Sequence, residues 1–210
     1  MKKPIKIAVF HNFMDNIGGA EVVTLTIARA FNADIYTTNI NEEHIKQMGF
    51  DDVLPRIKSI GTVPIQAPFK HQLSFWKFRR LNVSKLYDFF IISGDWAMSG
   101  AVQNKPNLWY VHSPIHEIWD YVEKIKEKYM PWWQRPAYDV WVRINRFLTT
   151  SYSKSIDQFV CNSINTQERI EKYYKTKATV INPPIEIPSA GVPLSVVAPG
   201  NRNSGLLFRF

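Results

Sequence analysis

Short apolar runs that end in small or polar residues, each followed by a segment with helical spacing, dominate this sequence. Lys6-Ile7-Ala8-Val9-Phe10, Asp34 to Thr38, Asp88-Phe89-Phe90-Ile91-Ile92, Leu108-Trp109-Tyr110-Val111, Gln158-Phe159-Val160-Cys161 and Thr179-Val180-Ile181 read as strands. Phe89 to Ile92 is apolar without alternation, the pattern of a parallel strand covered on both faces. The intervening helices are predicted over Ala20 to Phe31, Asn41 to Met48 and Ile115 to Lys126, with a longer one starting near Pro136 and a last one ending near Tyr174. Val22, Val23, Leu25, Ile27 and Ala30 supply the apolar side of the first. Ala137, Trp141, Ile144 and Leu148 are spaced as an inward stripe for the fourth. Asn165 and Glu168 are spaced as a capping box for the last. Strands separated by helices predict an α/β fold, a Rossmann-like, doubly wound and mainly parallel sheet. Ligands of such sheets lie beyond the carboxyl ends of the strands. Those ends carry Gly18-Gly19, Ser93-Gly94-Asp95, His112-Ser113-Pro114 and Asn162-Ser163.

At 210 residues, 45% hydrophobic and 21% charged, the chain can bury a core and is not a disordered segment. Its one cysteine, Cys161, rules out a disulfide framework and a cysteine-based zinc site. No apolar run approaches the roughly 18–20 residues of a membrane span. The apolar stretch after the basic start ends at Phe10, too short for an export signal, so a cytoplasmic protein is expected.

The net charge of +8 and seven tryptophans point to an anionic partner: nucleotide phosphates, an anionic membrane face or nucleic acid. Between Val53 and Tyr87 lie Arg56, Lys58, Lys70, Lys77, Arg79, Arg80 and Lys85, with no acid among them. Phe69 to Arg80 interleaves aromatics with bases. It could lie on an anionic bilayer or stack on single-stranded nucleic acid, or it could be a helix that packs Phe75 and Phe78 inward. Trp132 and Trp133 are adjacent, so one helix face cannot bury both. Trp76, Lys77, Arg79, Arg80, Trp132 and Trp133 are therefore candidates for an acceptor or membrane face.

Gly18-Gly19 between strand and helix suits close approach of a phosphate to free N–H groups, or a plain turn with one residue at positive φ. It matches neither the dinucleotide fingerprint nor the P-loop. Glu21 in the first helical turn is explained by the helix dipole. His112 at a strand's carboxyl end suits a hydrogen bond to a sugar hydroxyl or phosphate, or proton transfer. Neither a G-x-S-x-G elbow nor an H-E-x-x-H or D-x-D motif occurs, so hydrolase and metal readings find no support and no metal is expected.

Four segments in order resemble family 4 glycosyltransferases: Lys6 to Glu21, Trp109 to Asp120 with its His112-Ser113-Pro114 and Trp119-Asp120, Phe159 to Ile170, and Ala178 to Ile185. The middle segments are similar to mannosyltransferase-like members. The resemblance implies a GT-B fold of two Rossmann-like domains facing across a cleft, with this chain as the N-terminal, acceptor-side domain. It implies metal-independent transfer with retention, from a nucleotide-sugar such as GDP-mannose to a glycan or lipid-linked acceptor. Gly18 and Gly19 match the loop at the donor diphosphate, His112 matches a histidine that contacts the transferred sugar, and Asn182-Pro183-Pro184 matches the entry to the interdomain linker.

The family's Glu-x7-Glu element is missing from the sequence, and the stretch from Pro188 to Phe210 is rich in proline and glycine without periodicity. The expectation is a domain over residues 1–186, a linker or irregular tail over 187–210, and a nucleotide-sugar domain that this chain lacks. An isolated chain of this kind should be inactive, prone to self-association through the face left uncovered, and able to lie peripherally on the membrane. The alternative is a non-catalytic module that binds a nucleotide, glycan or membrane, with nucleic acid the weakest option.

Overall fold

The computed structural model describes residues 4–64 and 69–183. Its strands are β1 (Ile7–Phe10), β2 (Asp34–Thr37), β3 (Ile57–Ser59), β4 (Phe89–Ile92), β5 (Asn107–Val111), β6 (Gln158–Cys161) and β7 (Thr179–Val180). They form one sheet in the order β3-β2-β1-β4-β5-β6-β7, parallel throughout. The chain winds from β1 outward to β3, then returns to lay β4 against the other side of β1. That reversal between β1 and β4 opens a crevice at the carboxyl ends of the strands.

Among the described residues six α-helices cover the sheet: α1 (Gly19–Phe31), α2 (Glu42–Gln47), α3 (Lys70–Arg80), α4 (Val122–Tyr129), α5 (Arg135–Ser153) and α6 (Ile164–Tyr174). Successive strand residues point to opposite faces, so β1 and β4 feed two cores. Val9 and Ile91 join Leu25, Ile35 and Ile45 beneath α1 and α2. Phe10, Phe90 and Ile92 join Phe78, Trp109 and Tyr174 on the other face. This double burial is why these strands read as unbroken apolar runs. No helix among the described residues is long and apolar enough to cross a membrane.

Four local expectations are corrected. β3, absent from the sequence reading, is a three-residue edge strand whose Lys58 and Ser59 are exposed, so no apolar run marks it. The helix expected over Ile115 to Lys126 begins only at Val122. Residues 116–120 form turns, after which the Tyr121 N–H reaches back to the His116 carbonyl. The cap of α6 is Ser163, whose hydroxyl accepts from the Thr166 N–H, two residues before the expected Asn165.

The inward stripe of α5 is Tyr138, Val142, Asn145, Thr149 and Ser153, whereas Ala137 and Ile144 are exposed and Trp141 and Leu148 only half-buried. Burying the polar pair costs little because each is satisfied locally. Asn145 Nδ2 donates to the Trp141 carbonyl at 2.8 Å and Thr149 Oγ1 to the Asn145 carbonyl at 2.8 Å. Gln72 Nε2 on α3 completes the set, donating to Asn145 Oδ1 at 3.2 Å. The tail over 187–210 and the end of the Asn182-Pro183-Pro184 match lie outside the described residues.

Candidate active site

The strand tips converge as the topology requires. His11 and Asn12 follow β1, Ser93-Gly94-Asp95 follow β4, and His112 follows β5. Together with Ala20 and Glu21 of α1 they line an open cleft of about 140 Å³. The close fit of β1 and β4 has a specific cause. A Cβ on Gly94 would fall 2.5 Å from the Asn12 backbone nitrogen, so only glycine fits there. Asn12 Oδ1 in turn accepts from the N–H groups of Trp96 at 3.0 Å and Ala97 at 2.8 Å, tying the two tips together.

Gly18 is the N-cap of α1 in extended conformation, and neither Gly18 nor Gly19 has positive φ, which removes the plain-turn reading. A side chain at Gly18 would collide with the Glu21 carboxylate, whereas at Gly19 the space is open. Gly18 therefore makes room for Glu21 to fold back over the helix start. Glu21 does more than answer the helix dipole. Its Oε1 lies 3.8 Å from His11 Nε2 inside the cleft. Burial alone would raise its pKa, but the hydrogen bonding and charge of His11 outweigh that and hold it below the usual carboxylate value.

His112 is neutral near pH 7. Burial, with the nearby His11 charge added, lowers its pKa to about 4, and Glu21 only partly opposes this. Its Nε2 meets Ser93 Oγ at 2.8 Å and its ring packs edge-on against Tyr110. Asp95 is shifted the other way. Burial first, and then the like charge of Glu117, raise its carboxyl to about 8 against the opposing pull of Arg169. Asp95 thus favours its uncharged form, and the two charges that act on its carboxyl, those of Glu117 and Arg169, belong to residues outside the cleft lining.

That shift has a measurable sign. The folded pKa lies above the unfolded value, so folding takes up a proton between about pH 4 and 8, and stability falls as pH rises through that window. Asp95→Asn removes the cost of ionisation. The expected result is a melting temperature well above wild type at pH 8, with the gap closing toward pH 4. A gap independent of pH would show an ordinary Asp95.

Behind β5 a clamp fixes the tip that carries His112. Arg169 of α6 donates to Ser113 Oγ at 2.6 Å and to the Pro114 carbonyl at 2.8 Å, and its guanidinium pairs with Asp120. Tyr173 donates to the same carboxylate, and His116 Nδ1 stands 3.1 Å from it. The His112-Ser113-Pro114, Trp119-Asp120 and Arg169-Ile170 segments, distant in sequence, thus meet in space.

The other expected site residues lie elsewhere. Trp76, Lys77, Arg79 and Arg80 are on α3, which buries Phe75 and Phe78 inward as one sequence reading had it. Trp132 and Trp133 occupy a single 3-10 turn before α5, and both are exposed. None of the six lines the cleft. The sequence reading missed His11, Asn12 and Thr24 as site residues. Thr24 left one usable signal, a hydroxyl one turn after Ala20 on the otherwise apolar face of α1.

Compared with known families, residues 17–187 match the model of Glycosyltransferase Family 4. The chain belongs to Glycosyltransferase Family 4. Its fold is shared with HepE of Anabaena, solved in complex with UDP and glucose, at a TM-score of 0.54 and 13% identity. The match covers 87% of this chain and 45% of HepE, so the chain spans less than half the length of that relative. None of the curated proteins matches the sequence. The family 4 domain therefore combines a Rossmann-like parallel sheet with a cleft built where the winding reverses.

Proposed function

We propose that this domain forms the acceptor-side wall of the cleft of a retaining glycosyltransferase. The enzyme would transfer a sugar, mannose from GDP-mannose in the first instance, to a hydroxyl of a glycan or lipid-linked acceptor. One observation carries the reading: a neutral His112, held at 2.8 Å from Ser93, lines a single cleft together with the tip of β4 and the start of α1. Uncharged hydrogen-bonding groups of this kind suit sugar hydroxyls. The UDP and glucose bound to HepE support a nucleotide-sugar as donor class and make UDP-glucose the second donor to try.

Catalysis of such a transfer lies in stabilising a developing oxocarbenium ion and a departing diphosphate. The cleft offers no lysine or arginine for the diphosphate among its lining residues. We therefore expect the 210-residue chain to bind GDP-mannose or UDP-glucose weakly and to turn over neither above background. Amide shifts at Gly18, Asp95 and His112 on titration with either donor test the first part, and nucleotide release tests the second. No shift with either donor would favour the non-catalytic module. Robust turnover would overturn the half-site reading.

A second surface supports peripheral attachment to an anionic bilayer. Trp132 is 80% and Phe147 70% exposed, and Val140, Ile144 and Phe147 form an outward apolar stripe on α5. Beside α5 lies α3, where Leu73 and Trp76 are exposed near Arg80. Rings at headgroup depth with bases toward lipid phosphate fit this composition. Co-sedimentation with phosphatidylglycerol vesicles should be strong, weakened by salt and reduced by Trp132→Ala combined with Phe147→Ala. Equal binding to neutral phosphatidylcholine vesicles, or none to either, would remove the proposal.

A further inference from the structure

Between the two histidines of the cleft runs a chain of hydroxyls that the transfer reading does not use. His11 Nδ1 lies 3.2 Å from Thr24 Oγ1, Thr24 Oγ1 lies 2.7 Å from Ser93 Oγ, and Ser93 Oγ lies 2.8 Å from His112 Nε2. Thr24 is 0% and Ser93 1% exposed, so their hydroxyls bond chiefly to one another and to the side chains beside them. Once the Thr24 proton is placed on the Ala20 carbonyl, counting protons assigns a direction to each bond.

Thr24 has one hydroxyl proton, and it is given to the Ala20 carbonyl at 2.7 Å, one turn back in α1. Thr24 Oγ1 therefore only accepts, from both His11 and Ser93. Ser93 spends its own proton on Thr24, so it must accept from His112. The His112 proton consequently sits on Nε2. Its Nδ1 is left unprotonated, with no hydrogen-bond partner among the described residues, on a side chain that lines the cleft.

We propose that Thr24 and Ser93 are positioning residues that fix which nitrogen of His112 carries its proton, so that the imidazole meets the cleft as an acceptor for a sugar hydroxyl. The inference rests on the proposed transfer reading only for the identity of that hydroxyl. It distinguishes among the roles open to His112. An unprotonated Nδ1 accepts from a hydroxyl but repels a phosphate oxygen, and a proton held by Ser93 is not available to a leaving group. The depressed pKa of His112 agrees, because a neutral ring has one proton to place.

The test is the long-range 1H–15N spectrum of the whole chain, labelled with 15N-histidine, at pH 7. With five histidines in the sequence, His112 is assigned by the signal lost in His112→Gln. The expected result is a protonated Nε2, an unprotonated Nδ1, and a directly visible Nε2–H cross-peak, since a buried bond to Ser93 slows its exchange. Ser93→Ala should abolish that cross-peak while the backbone amide spectrum stays folded, and Ser93→Thr should restore it. Should Ser93→Ala fold poorly, Thr24→Val is the near-isosteric substitute. It removes the acceptor of the Ser93 proton and should move both ring nitrogens of His112 toward averaged shifts. A proton on Nδ1, a doubly protonated ring, or a cross-peak indifferent to these variants would overturn the relay. Because the readout needs no donor sugar, a failed transferase reading would leave this result standing, and a failed relay would leave the transferase reading standing.

Discussion

Arg169→Ala should lower the melting temperature by roughly 6–12 °C, the effect of about 3 kcal/mol on a domain of this size. Arg169 joins α6 to the loop after β5 with two hydrogen bonds and the pair to Asp120, and its side chain is only 14% exposed. Removing it does more than delete an attraction. The Pro114 carbonyl and Ser113 hydroxyl each lose a donor, and Asp120 keeps only Tyr173 and His116. Burial raises the pKa of Asp120, but Tyr173 and the Arg169 charge outweigh it and hold the carboxyl below its ordinary value. A folded pKa below the unfolded one contributes stability that is full above about pH 4 and is lost in more acid solution. The gap between wild type and Arg169→Ala should therefore shrink below pH 4.

Arg169→Lys separates charge from geometry. A lysine keeps a point charge for Asp120 but lacks the planar fork that serves Ser113, Pro114 and Asp120 together. Its melting temperature should fall between the other two. A change under about 2 °C in Arg169→Ala, measured by circular dichroism at pH 7, would mean that the clamp adds little. The clamp also bears on the site, because Pro114 lies two residues from His112. Loosening it should blunt the amide shifts at His112 on donor titration even where the domain stays folded.

The sheet was legible wherever burial on both faces left a mark. Phe89 to Ile92 and Leu108 to Val111 are apolar because α/β packing covers each side, and that pattern located the strand tips and hence the cleft. β3 left no mark, because an edge strand with Lys58 and Ser59 in solvent has nothing to distinguish it from a loop. The stripe of α5 misled for the opposite reason. Apolar spacing picked Ala137 and Ile144, while the buried side holds Asn145 and Thr149, whose side chains are satisfied by the helix's own carbonyls. Periodicity sees hydrophobicity and is blind to a polar side chain that brings its partner with it.

The site was legible in position and less so in chemistry. His112 ends a strand and lines the cleft, whereas Gly18 and Gly19 begin α1 next to Ala20 and Glu21 and are not themselves among the lining residues. Glu21 was read as a local electrostatic device, although its partner His11 stands ten positions earlier across the turn. Thr24 and Ser93 form a bond 69 residues apart in sequence, and no local pattern announces it. The tertiary bonds of Arg169 were likewise invisible, although its segment carried the family resemblance. Fold placed these residues within reach of one another, and only the folded distances give them roles.

In a transferase that pairs this domain with a donor-side domain, as we propose, His112→Ala should lower kcat by about 10²–10³, the usual consequence of losing one preorganised hydrogen-bonding group. The domain should remain folded, since the side chain gives up one bond to Ser93 and an edge contact with Tyr110. How the loss divides between kinetic constants is decisive. A group that strengthens its contact as positive charge develops on the sugar lowers kcat and kcat/KM together, whereas one that merely holds the sugar raises KM and leaves kcat alone. The pH profile supplies the second constraint. With the His112 pKa near 4, its protonation state does not change between pH 6 and 8, so its titration puts no limb on the wild-type profile there. A limb near 6.5 that vanishes in His112→Ala would mean a solvated, freely titrating imidazole. That would contradict the burial, the bond to Ser93 and the acceptor role alike, and it would return His112 to the ranks of general acids and bases.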